Sequence, residues 1–184
     1  MLEVLSLFTA YLFATQPIIR KVKDRFKLDR LQESDLLTVG VLVGLSLILG
    51  LVIGMISSIQ LSVGREYVPS WVFLAVLASF VLVQLQYLLL KHFRVIGMGL
   101  AFFMLISYVY LSSAIGTTAT LSGLPALVKN VNLLSILEGQ FAGYFDGQTA
   151  GIGVFFGLLV FFGLLAVANI FIPKKFTQTK EIES

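Results

Sequence analysis

Long uncharged apolar runs alternate with short charged stretches along this chain. Residues 36–64 contain no charged side chain, and neither do residues 4–19. Between these runs, residues 20–35 hold six Lys or Arg and four Asp or Glu. A charged side chain at the centre of a bilayer costs about 2.5–3.5 kcal/mol on insertion scales. The charged block must therefore lie outside the hydrocarbon, and the apolar runs beside it are predicted membrane spans.

The apolar runs predict about five transmembrane helices, since a helix needs about 17–25 residues to cross a bilayer. We place the spans at residues 1–19, 37–62, 68–90, 95–114 and 151–172. The first run is short, and an interfacial helix stays open as its alternative. The predicted fold class is all-α, and the chain is interpreted as one polytopic membrane domain over residues 1–184.

The basic residues indicate the orientation of these spans. On this threading, eleven Lys or Arg lie on one side, six in residues 20–35, two in the turn at 91–94 and three after residue 172. The other side carries two, Arg65 and Lys129. Because basic loops stay cytoplasmic, the pattern predicts the N-terminus, with Glu3, outside and the C-terminus inside the cell membrane. Residues 20–35 then form a cytoplasmic amphipathic elbow, which either docks a cytoplasmic partner or serves as a solvated topogenic loop.

An amphipathic segment is predicted at residues 121–147, on the extracellular side. Apolar residues recur there at helical spacing: Leu124, Leu127, Val128, Val131, Leu134, Leu137, Phe141, Tyr144 and Phe145. The polar residues mostly fall elsewhere: Lys129, Asn130, Asn132 and Glu138. This pattern indicates a helical segment that lies on the outer leaflet or dips into it.

Small residues four positions apart mark one face of the second span. They form two pairs, Gly40 with Gly44 and Gly50 with Gly54. This spacing lets two helices approach closely in lipid, within one chain or between copies. A homodimer or a larger membrane complex is the corresponding prediction.

The third span contains polar and amphipathic residues as well. Gln84 and Gln86 lie inside its apolar run, where they either line a polar path or form interhelical hydrogen bonds, and hydrogen bonding is favoured. Tyr67 and Trp71 lie at the outer end of this span, where such rings prefer the membrane interface.

Composition excludes several classes of function. Only 12% of the residues are charged and the mean hydropathy is +0.96, whereas soluble domains carry about 25% charged residues. The net charge of +3 does not indicate nucleic-acid binding, because the basic residues cluster between apolar spans instead of forming one basic surface. Absence of cysteine excludes disulfides and thiolate chemistry.

Motifs of catalysis are missing from the sequence too. It has no phosphate-binding glycine loop, no zinc-protease motif and no serine-hydrolase elbow. The only histidine, His92, has no second ligand beside it, and the core of each span is read as free of ionisable side chains. We therefore predict no catalytic, cofactor-binding or metal-binding residue, no cofactor, and no enzyme activity.

Residues 123–147, GLPALVKNVNLLSILEGQFAGYFDG, are followed by one more span that ends in Lys174 and Lys175. This arrangement resembles the carboxy-terminal membrane half of the YhgE/Pip group, relatives of type-2 ABC exporter permeases. Within that group the chain resembles most closely EsaA, an accessory membrane protein of type VII secretion in Gram-positive bacteria. Most of the likeness lies in the pattern from Asn130 through Glu138 to Phe145.

The resemblance implies a non-enzymatic membrane subunit of a protein-export machine, in contact with other membrane subunits and the lipid bilayer. It also implies a family with six helices and a large extracellular domain after the first, so that this chain would be a truncated C-terminal part. Two alternatives stay open. One is a type-2 ABC permease half with an ATPase docked on residues 20–35, and the other is a Pip-like phage-receptor membrane protein.

Overall fold

The computed structural model of the chain describes residues 2–15, 36–113 and 123–172. All regular elements in these ranges are helical, which confirms the all-α class. The helices are α1 (Leu2–Thr15), α2 (Leu36–Gln60), α3 (Val68–Phe93), α4 (Val95–Ser113), α5 (Leu124–Val131), α6 (Leu133–Gly143) and α7 (Ile152–Phe171), with a 3-10 turn at Tyr144–Asp146 after α6. The predicted elbow at 20–35 lies outside the described residues.

Three of the described helices, α2, α3 and α7, are long and apolar enough to cross a membrane. The apolar stretches described in α1 and α4, Leu2–Ala14 and Val95–Tyr110, are shorter. At 1.5 Å per residue, the 14 residues of α1 extend about 21 Å, less than the roughly 30 Å of a bilayer core. The number of five crossings and the division of the chain into spans stay predictions.

Helix α3 lies at the centre of the bundle and contacts α1, α2, α4 and α7. In the 18-residue apolar window of each helix, 67% of the window is buried for α3, 28% for α2 and 11% for α7. Most of the surface of α2 and α7 therefore faces outward, while α3 supplies the contacts that hold the described helices together.

A very short turn joins α3 to α4. Arg94 is the single residue between them and adopts a φ of 45°, in the left-handed region. A Cβ on Gly97 would overlap the main-chain carbonyl of Leu89. Because only glycine leaves room for this approach, α4 folds back directly beside α3.

The two glycine pairs of α2 have different surroundings. A Cβ on Gly50 would lie 2.5 Å from the Cα of Val76, so α2 and α3 touch backbone to backbone at this point. Close packing of this pair is confirmed. At Gly40 and Gly44, an added Cβ would meet no atom of the described chain within 4 Å. Within the described ranges, the pair Gly40 and Gly44 therefore forms an open small-residue face of α2.

The predicted amphipathic segment consists of two helices, α5 and α6, instead of one continuous stripe. Leu134 and Leu137 in α6 are buried in the main hydrophobic core. Leu127 and Val131 in α5 are 59% and 73% exposed. Only the second half of the apolar stripe therefore enters the main core, although α5 also contacts α4.

Asn132 causes the break between α5 and α6. Its backbone is extended, with φ −71° and ψ 114°, and its Oδ1 accepts a hydrogen bond from the Leu134 N–H at 2.9 Å. Its Nδ2 donates to the Met104 carbonyl at 2.9 Å and to Ser107 Oγ at 3.0 Å. The interpretation of Asn132 as a residue off the packed face is wrong, because this side chain caps α6 and attaches it to α4.

Candidate functional site

Three polar side chains are buried in the C-terminal half of α3: Gln84, Gln86 and Lys91. Residues two apart in a helix project about 200° from each other. Gln84 and Gln86 therefore face opposite sides of α3, one toward α7 and the other toward α1. Each glutamine bonds to a different helix, which confirms the prediction of interhelical hydrogen bonding.

On the α1 side, Gln86 Nε2 donates to Glu3 Oε1 at 2.6 Å. Glu3 is only 5% exposed, although the sequence placed it in the outer aqueous phase. The Glu3 side chain is therefore not in water but lies inside the packed helices, whereas the side of the membrane on which the N-terminus lies stays a prediction. We call this contact the Glu3–Gln86 pair.

On the α7 side, Asn169 Nδ2 donates to Gln84 Oε1 at 2.9 Å and to the Gln84 carbonyl at 3.0 Å. Lys91 Nζ donates to the Asn169 carbonyl at 2.6 Å. That carbonyl lies in the last turn of α7, where carbonyls lack intrahelical partners and attract a cation. We call these three residues the Asn169 group.

Glu3 and Lys91 together correct the reading of the helix core as free of ionisable groups. Lys91 was assigned to an inner turn, but α3 continues to Phe93 and leaves Lys91 only 5% exposed. Sequence reasoning also missed Asn169 as a partner. The available signal was its position as the one amide in the apolar run of α7.

Both polar contacts leave hydrogen-bonding atoms unused. Within the described part of the chain, Glu3 Oε2, Gln86 Oε1, Gln84 Nε2 and Asn169 Oδ1 are buried and have no hydrogen-bond partner. A buried polar atom without a partner costs about 1–3 kcal/mol. The C-terminal half of α3 thus retains capacity to bind a further polar group.

The N-terminal end of α3 is packed by aromatic rings. The Trp71 ring centroid lies 4.7 Å from that of Phe141 and 5.5 Å from that of Tyr144, both in edge-on geometry. Trp71 Nε1 donates to Ser57 Oγ at 2.9 Å, and the hydroxyls of Ser70 and Tyr144 lie 2.6 Å apart. Trp71 is 3% exposed, so its ring packs against protein, and its depth at the membrane interface stays a prediction. We call Trp71, Phe141 and Tyr144 the aromatic cluster.

Tyr67 lies at the edge of this cluster, with its ring centroid 6.3 Å from that of Tyr144. The charge of Glu66, together with a hydrogen bond from the phenol to its carboxylate, raises the pKa of Tyr67. The phenol, which is protonated at neutral pH in any case, therefore keeps its capacity to donate a hydrogen bond to a higher pH than a free tyrosine does.

Side chains in the described ranges form no group of three or more His, Asp or Glu that could hold a metal ion. His92 is half-buried, and its Nδ1 lies 3.0 Å from the Leu88 carbonyl. What the described side chains offer is close packing and interhelical hydrogen bonding. The absence of catalytic, cofactor-binding and metal-binding residues stays a prediction for the whole chain.

A family model described as the EsaA helical domain matches residues 1–170. The chain belongs to the EsaA family. No curated protein and no solved structure matches it. Because the matched range includes Glu3, the buried residues of α3 and Asn169, both polar contacts lie within the EsaA helical domain.

The EsaA family is an accessory family of type VII secretion and not a family of enzymes. The apolar helices and the family together identify a membrane protein. The resemblance seen in residues 123–147 is thereby confirmed at the level of the EsaA family. The wider relation to the YhgE/Pip group stays a prediction.

Proposed function

We propose that this EsaA-family chain is a non-enzymatic membrane subunit of the type VII secretion machine in Gram-positive bacteria. The match to the EsaA helical domain over residues 1–170 carries the proposal. The described contacts support it, since α3 joins four other helices through close packing and hydrogen bonds. Such a unit holds and positions other membrane subunits during export.

Multi-pass insertion into the plasma membrane, with the N-terminus outside and the C-terminus in the cytoplasm, is part of the proposal. Its support is the distribution of basic residues, eleven on the predicted inner side and two on the outer side. Because the chain has no cysteine, single cysteines can be introduced at Arg65, Lys129, Lys23 and Lys175. An impermeant thiol reagent applied to intact cells should label the first two only. Labelling of Lys23→Cys from outside would contradict the orientation.

The proposed partners are a second copy of the chain and other membrane subunits, with a cytoplasmic partner at residues 20–35. The open face of Gly40 and Gly44 supports close contact between copies, because small residues let helix backbones approach in lipid. Gly44→Ile should convert a dimer to a monomer in analytical ultracentrifugation of the detergent-solubilised protein. Gly99→Ile is the matched control, since a Cβ on Gly99 also meets no described atom but lies on α4.

Gene deletion tests the function itself. The culture supernatant of the deletion strain should lose small helical effector proteins in mass spectrometry, with drug sensitivity and phage adsorption unchanged. Complementation with the wild-type gene should restore them. An unchanged set of secreted proteins with altered drug sensitivity would instead support an ABC permease half. Lost phage adsorption would support a Pip-like receptor.

A further inference from the structure

A cavity of about 400 Å³ lies between α1, α2, α3, α4 and α6. Glu3 lines it on the α1 side, and Trp71 and Phe141 line it on the side of the aromatic cluster. Leucines of α3, α4 and α6 make up much of the remaining wall. Pockets for small molecules have volumes of about 300–1,000 Å³, so this cavity can hold a compact organic ligand.

The charged groups of the lining are all acidic. Glu3 and Glu138 contribute carboxyl groups, and none of the described residues of the lining is basic. Glu3 is 5% exposed, and its Oε2 has no hydrogen-bond partner among the described residues. Gln86 donates to the other oxygen of this carboxyl, so Oε2 is the atom open to a further donor. A positively charged ligand group there would favour the ionised carboxylate over the protonated acid.

Aromatic rings add a second preference for positive charge. Trp71, Tyr108 and Phe141 all line the cavity, and the face of an aromatic ring attracts a cation, most strongly when water is excluded. The mostly apolar wall favours hydrocarbon substituents on that cation. A bare metal ion fits less well, because no group of three acidic or histidine side chains forms in the described ranges.

We propose that this cavity binds an organic cation, a substituted ammonium group with apolar substituents. Its positive charge lies against Glu3, and its substituents extend along the apolar wall toward Tyr108 and the aromatic cluster. This binding site goes beyond the proposed role in secretion and does not depend on it, because the argument uses only the lining of the cavity.

Trp71 is the only tryptophan of the chain and therefore reports on the cavity by its fluorescence. We would titrate the protein in lipid nanodiscs with (2-phenylethyl)trimethylammonium and with its neutral isostere, (3,3-dimethylbutyl)benzene. The cation should change Trp71 emission in a saturable way. The isostere should bind about tenfold more weakly or worse, because it lacks the charge that Glu3 and the rings attract.

Variants identify the groups that recognise the charge. Glu3→Gln keeps an oxygen for Gln86 and should weaken binding of the cation about tenfold or more. Tyr108→Leu, which removes a ring but keeps an apolar side chain, should weaken it about two- to fivefold and serves as a second test if Glu3→Gln misfolds. Glu66→Gln is the control, because this exposed carboxylate is not part of the described lining. The affinity of the Glu66→Gln variant for the cation should equal that of the wild type.

Three results would overturn the proposal. The first is equal affinity for the cation and its neutral isostere, which would show a purely apolar cavity. The second is a Glu3→Gln variant, or a Tyr108→Leu variant if the first misfolds, that binds the cation as tightly as the wild type. The third is the absence of any saturable change in Trp71 emission.

Discussion

The two ends of α3 are packed by different chemistry. At the N-terminal end, the aromatic cluster fills the space, and the indole N–H of Trp71 has a partner in Ser57. At the C-terminal end, the Glu3–Gln86 pair and the Asn169 group connect α3 to α1 and α7. Four polar atoms of these two contacts have no hydrogen-bond partner within the described ranges.

This difference indicates where the stability of the bundle lies. Large aromatic side chains lose many contacts when truncated, about 3–5 kcal/mol for a buried tryptophan. Interhelical hydrogen bonds in membrane proteins contribute about 0.6 kcal/mol on average. We therefore expect the N-terminal end of α3 to hold the fold, and the C-terminal end to be the place where helices can rearrange.

The largest effect is expected from Trp71→Ala. Loss of the buried indole and its edge-on contacts should lower the free energy of unfolding by about 3–5 kcal/mol, measured by denaturant titration of helix content in detergent micelles. Phe145→Ala is the control, because Phe145 also faces Trp71 but is 57% exposed. Equal losses for both variants would mean that the aromatic cluster does not hold the fold.

Gly50→Ala should have the next largest effect. The new Cβ would lie 2.5 Å from the Val76 backbone, so α2 must move away from α3 at a cost of about 1–3 kcal/mol. Gly99→Ala adds the same methyl group to α4 at a place where no described atom lies within 4 Å, and it should leave stability unchanged or raise it slightly. Thermal unfolding of the two variants side by side makes the comparison, and a more stable Gly50→Ala would refute the close packing.

Asn132→Asp tests the attachment of α6 to α4. Aspartate can still cap α6, but it cannot donate to the Met104 carbonyl or to Ser107, so we expect a loss of about 1–2 kcal/mol. Asn130→Asp makes the same change at an exposed position of α5 and should be nearly silent. The measurement is denaturant unfolding at neutral pH. Identical unfolding midpoints for the two variants would show that the Asn132 amide does not contribute to stability.

The smallest effect is expected at the C-terminal end of α3. Gln84→Leu leaves the Asn169 amide without its side-chain acceptor and should cost about 1 kcal/mol. The double variant Gln84→Leu with Asn169→Leu should be less destabilised than the single one, since no side-chain amide is then left unpaired. A double-mutant cycle should give a coupling energy of about 0.6 kcal/mol. Strictly additive losses would mean that the two amides do not act as a pair.

The sequence alone determined where the helices lie and which family the chain belongs to. Uncharged runs at 36–64 and 151–172 contain α2 and α7, because charged residues are excluded from hydrocarbon. Gln84 and Gln86 had to find partners, since an unpaired amide in an apolar run is costly. The order of the spans together with the pattern from Asn130 to Phe145 indicated the EsaA family, which the match over residues 1–170 shows.

Only the tertiary structure decided which faces pack together. Glu3 bonds to Gln86 because of where α1 lies along α3, and Asn132 is buried because an extended residue rotates α6 relative to α5. The two glycine pairs of α2 look alike in sequence, yet only Gly50 and Gly54 contact α3. The reason is that lipid and protein interior are equally apolar, so hydrophobic pattern locates a membrane helix without showing which of its faces meets another helix.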